Sequence, residues 1–124
     1  MRLRDIAFFI SALILAAALS HAPEVMAAEP GPITPEEGKT MVQRQTDLVI
    51  LDVRNPNEYV TAHYPNALNI PVNELEARLS EVPSGKPVLV HCALGRRALR
   101  AYEILKEKRP DIKELYYING DVIF

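Results

Sequence analysis

With 124 residues and 14 basic side chains against 16 acidic ones, the chain carries a formal net charge of −2. That balance gives no electrostatic reason to propose a nucleic-acid or membrane-surface partner. A single cysteine excludes an internal disulfide, and the 48% hydrophobic content is inflated by an apolar N-terminus.

Met1-Arg2-Leu3-Arg4 makes a positive start, and Ile6 to Leu19 is apolar except for Ser11. A run of 14 residues is short for a bilayer span but suits a signal-peptide core. Val25 and Ala27 fit the −3 and −1 positions for cleavage before Ala28, and cleavage after Ala28 is nearly as suitable. The alternative is a retained anchor helix. The expectation is a signal peptide over 1–27, a periplasmic or secreted protein, and no stable membrane association after cleavage. The remaining 97 residues suffice for one small domain, and the formal charge is unchanged because Arg2, Arg4, Asp5 and Glu24 cancel. In an oxidising compartment a lone cysteine is unusual, and it points to a working thiol or an intermolecular bond.

Residues 28–33, with Pro30, Gly31 and Pro32, read as a flexible lead-in. Thr34-Pro35-Glu36-Glu37 is a helix start, with Thr34 as cap, Pro35 at the first position and Glu37 closing a capping box, and the helix runs to about Gln45. Asp47 to Val53 is dense enough in aliphatics for a strand buried on both faces. Asn55 to Tyr59 predicts one helical turn, Tyr64-Pro65-Asn66 a chain turn, Ala67 to Ile70 a strand, and Val72 to Leu79 a short amphipathic helix. Pro87 to His91 is the next strand. Ala98, Ala101, Tyr102 and Leu105 stripe a helix over Arg96 to Arg109, which Pro110 ends, and Leu115 to Ile118 closes the series as a strand.

Strands alternating with helices predict an α/β domain over 34–124, a central mostly parallel sheet flanked by helices. Ligands of such sheets bind beyond the carboxyl ends of the strands. Cys92 sits there, in His91-Cys92-Ala93-Leu94-Gly95-Arg96-Arg97. A turn opening a helix, followed by two guanidinium groups, favours thiolate over thiol, so a nucleophile is expected in preference to an inert core residue.

Three stretches in order resemble the rhodanese-like family of sulfurtransferases. They are Leu51-Asp52-Val53-Arg54 with Glu58-Tyr59, then Ala62-His63-Tyr64-Pro65-Asn66-Ala67-Leu68-Asn69-Ile70-Pro71, then Val88-Leu89-Val90-His91-Cys92 with Gly95 and Arg97. In size and targeting the chain is similar to the family's exported, single-domain phage-shock type. The resemblance implies that Cys92 takes sulfane sulfur from a donor such as thiosulfate, holds it as a persulfide, and passes it to cyanide or a thiol. It implies donor binding by Ala93, Leu94, Gly95, Arg96 and Arg97, with no metal and no organic cofactor. The implied partners are a small anionic sulfur donor and a thiophilic acceptor, and the implied state is a monomer. Members commonly continue past the last strand with a Gly-Gly pair and more helix. Here Gly120 is followed by Asp121-Val122-Ile123-Phe124, so a short or truncated closing segment is expected. The loop also lacks the Ser or Thr hydroxyls of some members.

Cations in a first helical turn are unfavourable by about 0.3–1 kcal/mol, so Arg96 and Arg97 together suggest an anion offsetting them. Asp52 and Arg54 at a strand end are expected to order a loop as an ion pair, with Glu58 similar and His63 a hydrogen-bonded loop histidine. His91 is expected to point away from the loop, the alternative being a base for Cys92. A cysteine phosphatase of the His-Cys-x5-Arg type would need arginine at position 98, where this chain has alanine. A non-catalytic persulfide carrier or redox-sensing module would use the same loop as the enzyme.

Overall fold

The structure, a computed structural model, describes residues 29–124; the signal-peptide expectation lies outside the described residues. Among the described residues five strands form one all-parallel sheet: β1 (Gly31–Ile33), β2 (Val49–Asp52), β3 (Leu68–Asn69), β4 (Val88–His91) and β5 (Leu115–Ile118), in spatial order β1-β5-β4-β2-β3. They are accompanied, among the described residues, by three α-helices, α1 (Pro35–Arg44), α2 (Pro56–Thr61) and α3 (Arg96–Lys108). Among the described residues no helix is long and apolar enough to cross a membrane.

The strands read as unbroken apolar runs because both faces of the sheet are covered. On one face Leu51, Val88, Val90, Leu115 and Tyr117 pack with Ala98, Ala101 and Leu105 of α3. On the other, Ile33, Leu89, Tyr116 and Ile118 pack with Met41 of α1. That helix approaches closely at Gly38, where a Cβ would fall 2.6 Å from Ile118 Cδ1.

Local chemistry sets the helix starts. Thr34 Oγ1 accepts from the Glu37 amide at 3.1 Å and donates to the Glu37 carboxylate. At α2, Asn55 and Glu58 form a reciprocal capping box with Pro56 in the first turn.

Two expectations are corrected. The lead-in is not flexible throughout: residues 31–33 form β1, in register with Tyr116, Tyr117 and Ile118 of β5. The open edge of β5 supplies hydrogen-bond partners that composition does not reveal. The amphipathic segment after β3 is a pair of 3-10 turns, Val72–Ala77 and Leu79–Glu81, in place of an α-helix. Val72 and Leu75 are nevertheless its buried residues.

Candidate active site

Cys92 follows the last residue of β4, at the carboxyl end of the sheet, and α3 begins four residues later. The intervening turn closes at Gly95, whose φ of +110° is a conformation that L side chains rarely adopt. Gly95 N–H donates to Cys92 Sγ at 3.0 Å. The Cys92 side chain, 2% exposed, belongs to the core cluster under α3 and lines the floor of an open pocket of about 480 Å³ with Ala93, Leu94, Arg96 and Arg97. The first amides of α3 have no intrahelical partner and add the positive end of its dipole.

The two arginines occupy different environments. Arg97 Nη1 and Nη2 donate to the two carboxylate oxygens of Glu58 at 2.7 and 3.0 Å, tying the loop to α2. Its guanidinium pKa is raised, chiefly by that Glu58 bond and further by the neighbouring Cys92 sulfur. Arg96 is exposed and, among the described residues, has no carboxylate partner.

The Arg97 bond, with help from the Asn55 amide, holds the Glu58 carboxyl at about 2 despite an opposing desolvation penalty. A folded pKa below the ordinary value of 4.5 gives stability that is present above pH 4.5 and lost as pH falls toward 2. Glu58→Gln should therefore flatten that limb of the stability curve, as read by urea unfolding at stepped pH. A limb of unchanged slope would show that Arg97 does not hold Glu58 in solution.

Behind the loop, Asp52 and Arg54 form a buried pair. Arg54 Nε and Nη2 reach the carboxylate at 2.9 and 2.6 Å, the Arg54 amide reaches it at 3.0 Å, and Nη2 also donates to the Ala62 carbonyl. Asn69 Nδ2 bridges the carbonyls of Asp52 and Arg54, which fastens β3 to the same corner. His63 is exposed, stacks on Tyr59 at 3.9 Å, and bonds the Tyr59 carbonyl through Nδ1.

His91 is opposite Asp52 in the β2–β4 register, on the sheet face away from α3. Its ring meets Tyr64 and Phe124 edge-on, at 5.3 and 5.8 Å, and Nδ1 lies 3.2 Å from the Cys92 carbonyl oxygen. Nε2 is buried and, among the described residues, has no hydrogen-bond partner; it lies 3.7 Å from Asp52 Oδ2, and burial pushes the imidazole pKa down. Strand alternation thus separates this ring from the sulfur it precedes.

The segment after β5 completes the corner. Val122 N–H donates to the Ala93 carbonyl at 2.9 Å, Tyr64 OH donates to the Ile123 carbonyl, and the Phe124 ring lies 4.8 Å from the Arg54 guanidinium carbon. A Cβ on Gly95 would fall 2.9 Å from the Gly120 nitrogen. Sequence reasoning did not assign Gly120, Tyr64, Asn69 or Phe124 to the site. Gly120 carried a signal as one half of the turn at Asn119-Gly120. Tyr64 and Asn69 lie in the second of the family-resembling stretches, a signal for the family that did not say they meet at this corner. Gly95→Ala combines that clash with a strained φ, so a loss of about 1–3 kcal/mol in denaturant unfolding is expected, with the Sγ-directed amide displaced.

Among the described residues no group of three or more His, Cys, Asp and Glu side chains is placed to hold a metal ion.

The family model "Rhodanese-like domain" matches residues 34–122. The chain is similar to the thiosulfate sulfurtransferase PspE of Escherichia coli (strain K12), 39% identical over 59 residues, which cover 46% of this chain and 57% of that protein. It is similar to the thiosulfate sulfurtransferase GlpE of Coxiella burnetii, 32% identical over 77 residues, 62% of this chain and 70% of that one. The crystal structure of a rhodanese-like domain protein from Staphylococcus aureus superposes with a TM-score of 0.64 at 25% identity, covering 73% of this chain and 86% of that chain. Against several other curated relatives the chain spans only about half of their length. With the match covering most of the described residues and its cysteine loop at the end of β4, the chain belongs to the rhodanese-like domain family.

Proposed function

We propose that this protein is a sulfurtransferase that moves sulfane sulfur from thiosulfate, or a similar donor, to cyanide or a thiol through a persulfide on Cys92. The observation that carries the reading is the Gly95 N–H donated to Cys92 Sγ at the floor of an open pocket, where α3 begins. The names of the two similar thiosulfate sulfurtransferases support it.

In the first half-reaction the Cys92 thiolate attacks the outer sulfur of thiosulfate. A new S–S bond forms, and the donor's own S–S bond breaks with its electrons leaving on sulfite. In the second, cyanide attacks the outer sulfur of the persulfide, thiocyanate departs, and the Cys92 thiolate is restored. Loop amides from Ala93 to Arg97 face the anionic donor and then the persulfide, fixed in place before charge develops. The reaction transfers sulfur and calls for no metal or organic cofactor. The N-terminal run supports export with cleavage near Ala27 or Ala28, and a periplasmic or secreted monomer fits that reading.

A phosphatase of the Cys-x5-Arg type would need its arginine at position 98. Ala98 lies within α3 on its fully buried, sheet-facing side, which a guanidinium could not share with the core.

Thiosulfate and cyanide supplied together should yield thiocyanate, and thiosulfate alone should add about 32 Da, one sulfur atom, to Cys92 by mass spectrometry. Loading without turnover would make the protein a persulfide carrier. Failure to load would remove the sulfur-transfer reading altogether.

A further inference from the structure

Two groups outside the cysteine loop hold its first two peptide units. Val122 N–H donates to the Ala93 carbonyl at 2.9 Å, and His91 Nδ1 lies 3.2 Å from the Cys92 carbonyl oxygen. A carbonyl oxygen only accepts, so that contact assigns the ring proton to Nδ1 and leaves Nε2 as the nitrogen without a partner among the described residues. Val122 packs against the clusters around Met41 and Tyr64, on the sheet face away from α3, and His91 points to the same face. The Cys92 side chain belongs to the opposite face, in the cluster under α3. In a planar trans peptide the carbonyl and the following N–H point in opposite directions. Drawing the Cys92 and Ala93 carbonyls away from α3 therefore turns the Ala93 and Leu94 N–H groups toward the side of the sulfur. Among the described residues neither of these amides has a hydrogen-bond acceptor, whereas the next one along, Gly95, already donates to Sγ.

We propose that His91 and the segment 120–124 are positioning groups for sulfur transfer, which together aim the Ala93 and Leu94 amides at the sulfur that Cys92 receives. The inference rests on the sulfur-transfer reading above, and it concerns groups that do not themselves line the pocket over Cys92. One aromatic cluster steadies both. Tyr64, 4% exposed, meets His91 and Phe124 edge-on with ring centroids 5.3 and 5.1 Å away, and its hydroxyl donates to the Ile123 carbonyl. The Arg54 guanidinium, itself paired with Asp52, lies over the Phe124 ring. The amides are thereby set before the sulfur arrives, and no reorganisation is needed as charge builds on it.

The test is the amide proton–nitrogen NMR spectrum of the full chain before and after loading of Cys92 by thiosulfate. Loading should move the Ala93 and Leu94 amide protons downfield, as each gains a charged acceptor. Val122→Pro removes the donor to the Ala93 carbonyl, and Val122→Ala retains it. The Leu94 displacement should persist in Val122→Ala and vanish in Val122→Pro. Thiosulfate:cyanide kcat/KM should be about tenfold lower in the proline variant than in the alanine one, the worth of one hydrogen bond to a charged group. Likewise His91→Leu should lose the Ala93 displacement, and His91→Asn, whose amide nitrogen stands where Nδ1 stood, should keep it.

Ala93 and Leu94 amides that stay in place when the unsubstituted protein is loaded overturn the proposal without any variant, so a substitution that prevents folding does not protect it. Equal Leu94 displacements and equal kcat/KM in Val122→Pro and Val122→Ala overturn the role of 120–124. An Ala93 displacement that survives His91→Leu overturns the role of His91. In each of these cases Cys92 still takes up sulfur by mass spectrometry, and the sulfur-transfer reading stands. No uptake by the unsubstituted protein removes that reading, and the positioning role with it.

Discussion

Cys92→Ser is expected to lower thiosulfate:cyanide turnover by about four orders of magnitude while the protein remains folded. A serine hydroxyl keeps the volume and still accepts the Gly95 amide, so the 3.0 Å contact that shapes the loop has a partner in the variant. What is lost is the sulfur. An alkoxide is not accessible near neutral pH in this loop, and an oxygen nucleophile cannot form a persulfide. Unfolding free energy should fall by only about 1 kcal/mol, the usual scale for a conservative change at a buried position. The paired measurement is thiocyanate production and urea unfolding on the same preparation. Substantial turnover in the serine variant would place the chemistry elsewhere than Cys92, and a collapse of stability would make the cysteine a core residue first.

The largest stability effect is expected from Asp52→Ala. In the folded protein the carboxylate accepts from the Arg54 side chain and from the Arg54 amide, with both side chains almost wholly out of water. Truncation leaves a guanidinium in the interior with the Ala62 carbonyl and the Phe124 ring as its remaining company. Breaking a buried pair from one side costs about 3–5 kcal/mol, because the surviving charge is uncompensated. Against a typical domain total of about 5–15 kcal/mol, that is a large fraction. A fall in Tm of about 15–30 °C is expected for a domain of this size. Calorimetry or thermal circular dichroism reads it directly. A shift of only a few degrees would mean that water reaches Arg54 once the carboxylate is gone. Activity should fall as well, since the same corner carries α2 and hence Glu58, the anchor of Arg97.

Elements with dense local signals were legible in the sequence. The aliphatic runs of β2, β4 and β5 and the stripe Ala98, Ala101, Leu105 state their burial in their spacing; strands alternating with helices implied a mostly parallel sheet, and every pairing in it is parallel. The rhodanese-like resemblance also holds. Partnerships between distant positions were not legible. Nothing in Pro30-Gly31-Pro32 says that β5 has an open edge, so β1 read as lead-in. Nothing at positions 58 and 97 says that the arginine's two terminal nitrogens are occupied, since spacing along a chain does not disclose which carboxylate a long side chain will find. The 3-10 turns after β3 had the right apolar face, and their tighter winding carried no sequence signal.

The pairing of β1 with β5 joins the first and last strands of the described chain, Gly31 with Tyr116 and Ile33 with Ile118. Such a closure carries the greatest loop entropy of any contact in the sheet, and it cannot begin until the polypeptide has been made through Ile118. A ribosome-bound chain short of that point would hold β2 and β4 but leave both β1 and the facing side of α1 undocked. Assembly of the domain is thus gated at its far end, and amide exchange in β1 should report when a newly made molecule has finished folding.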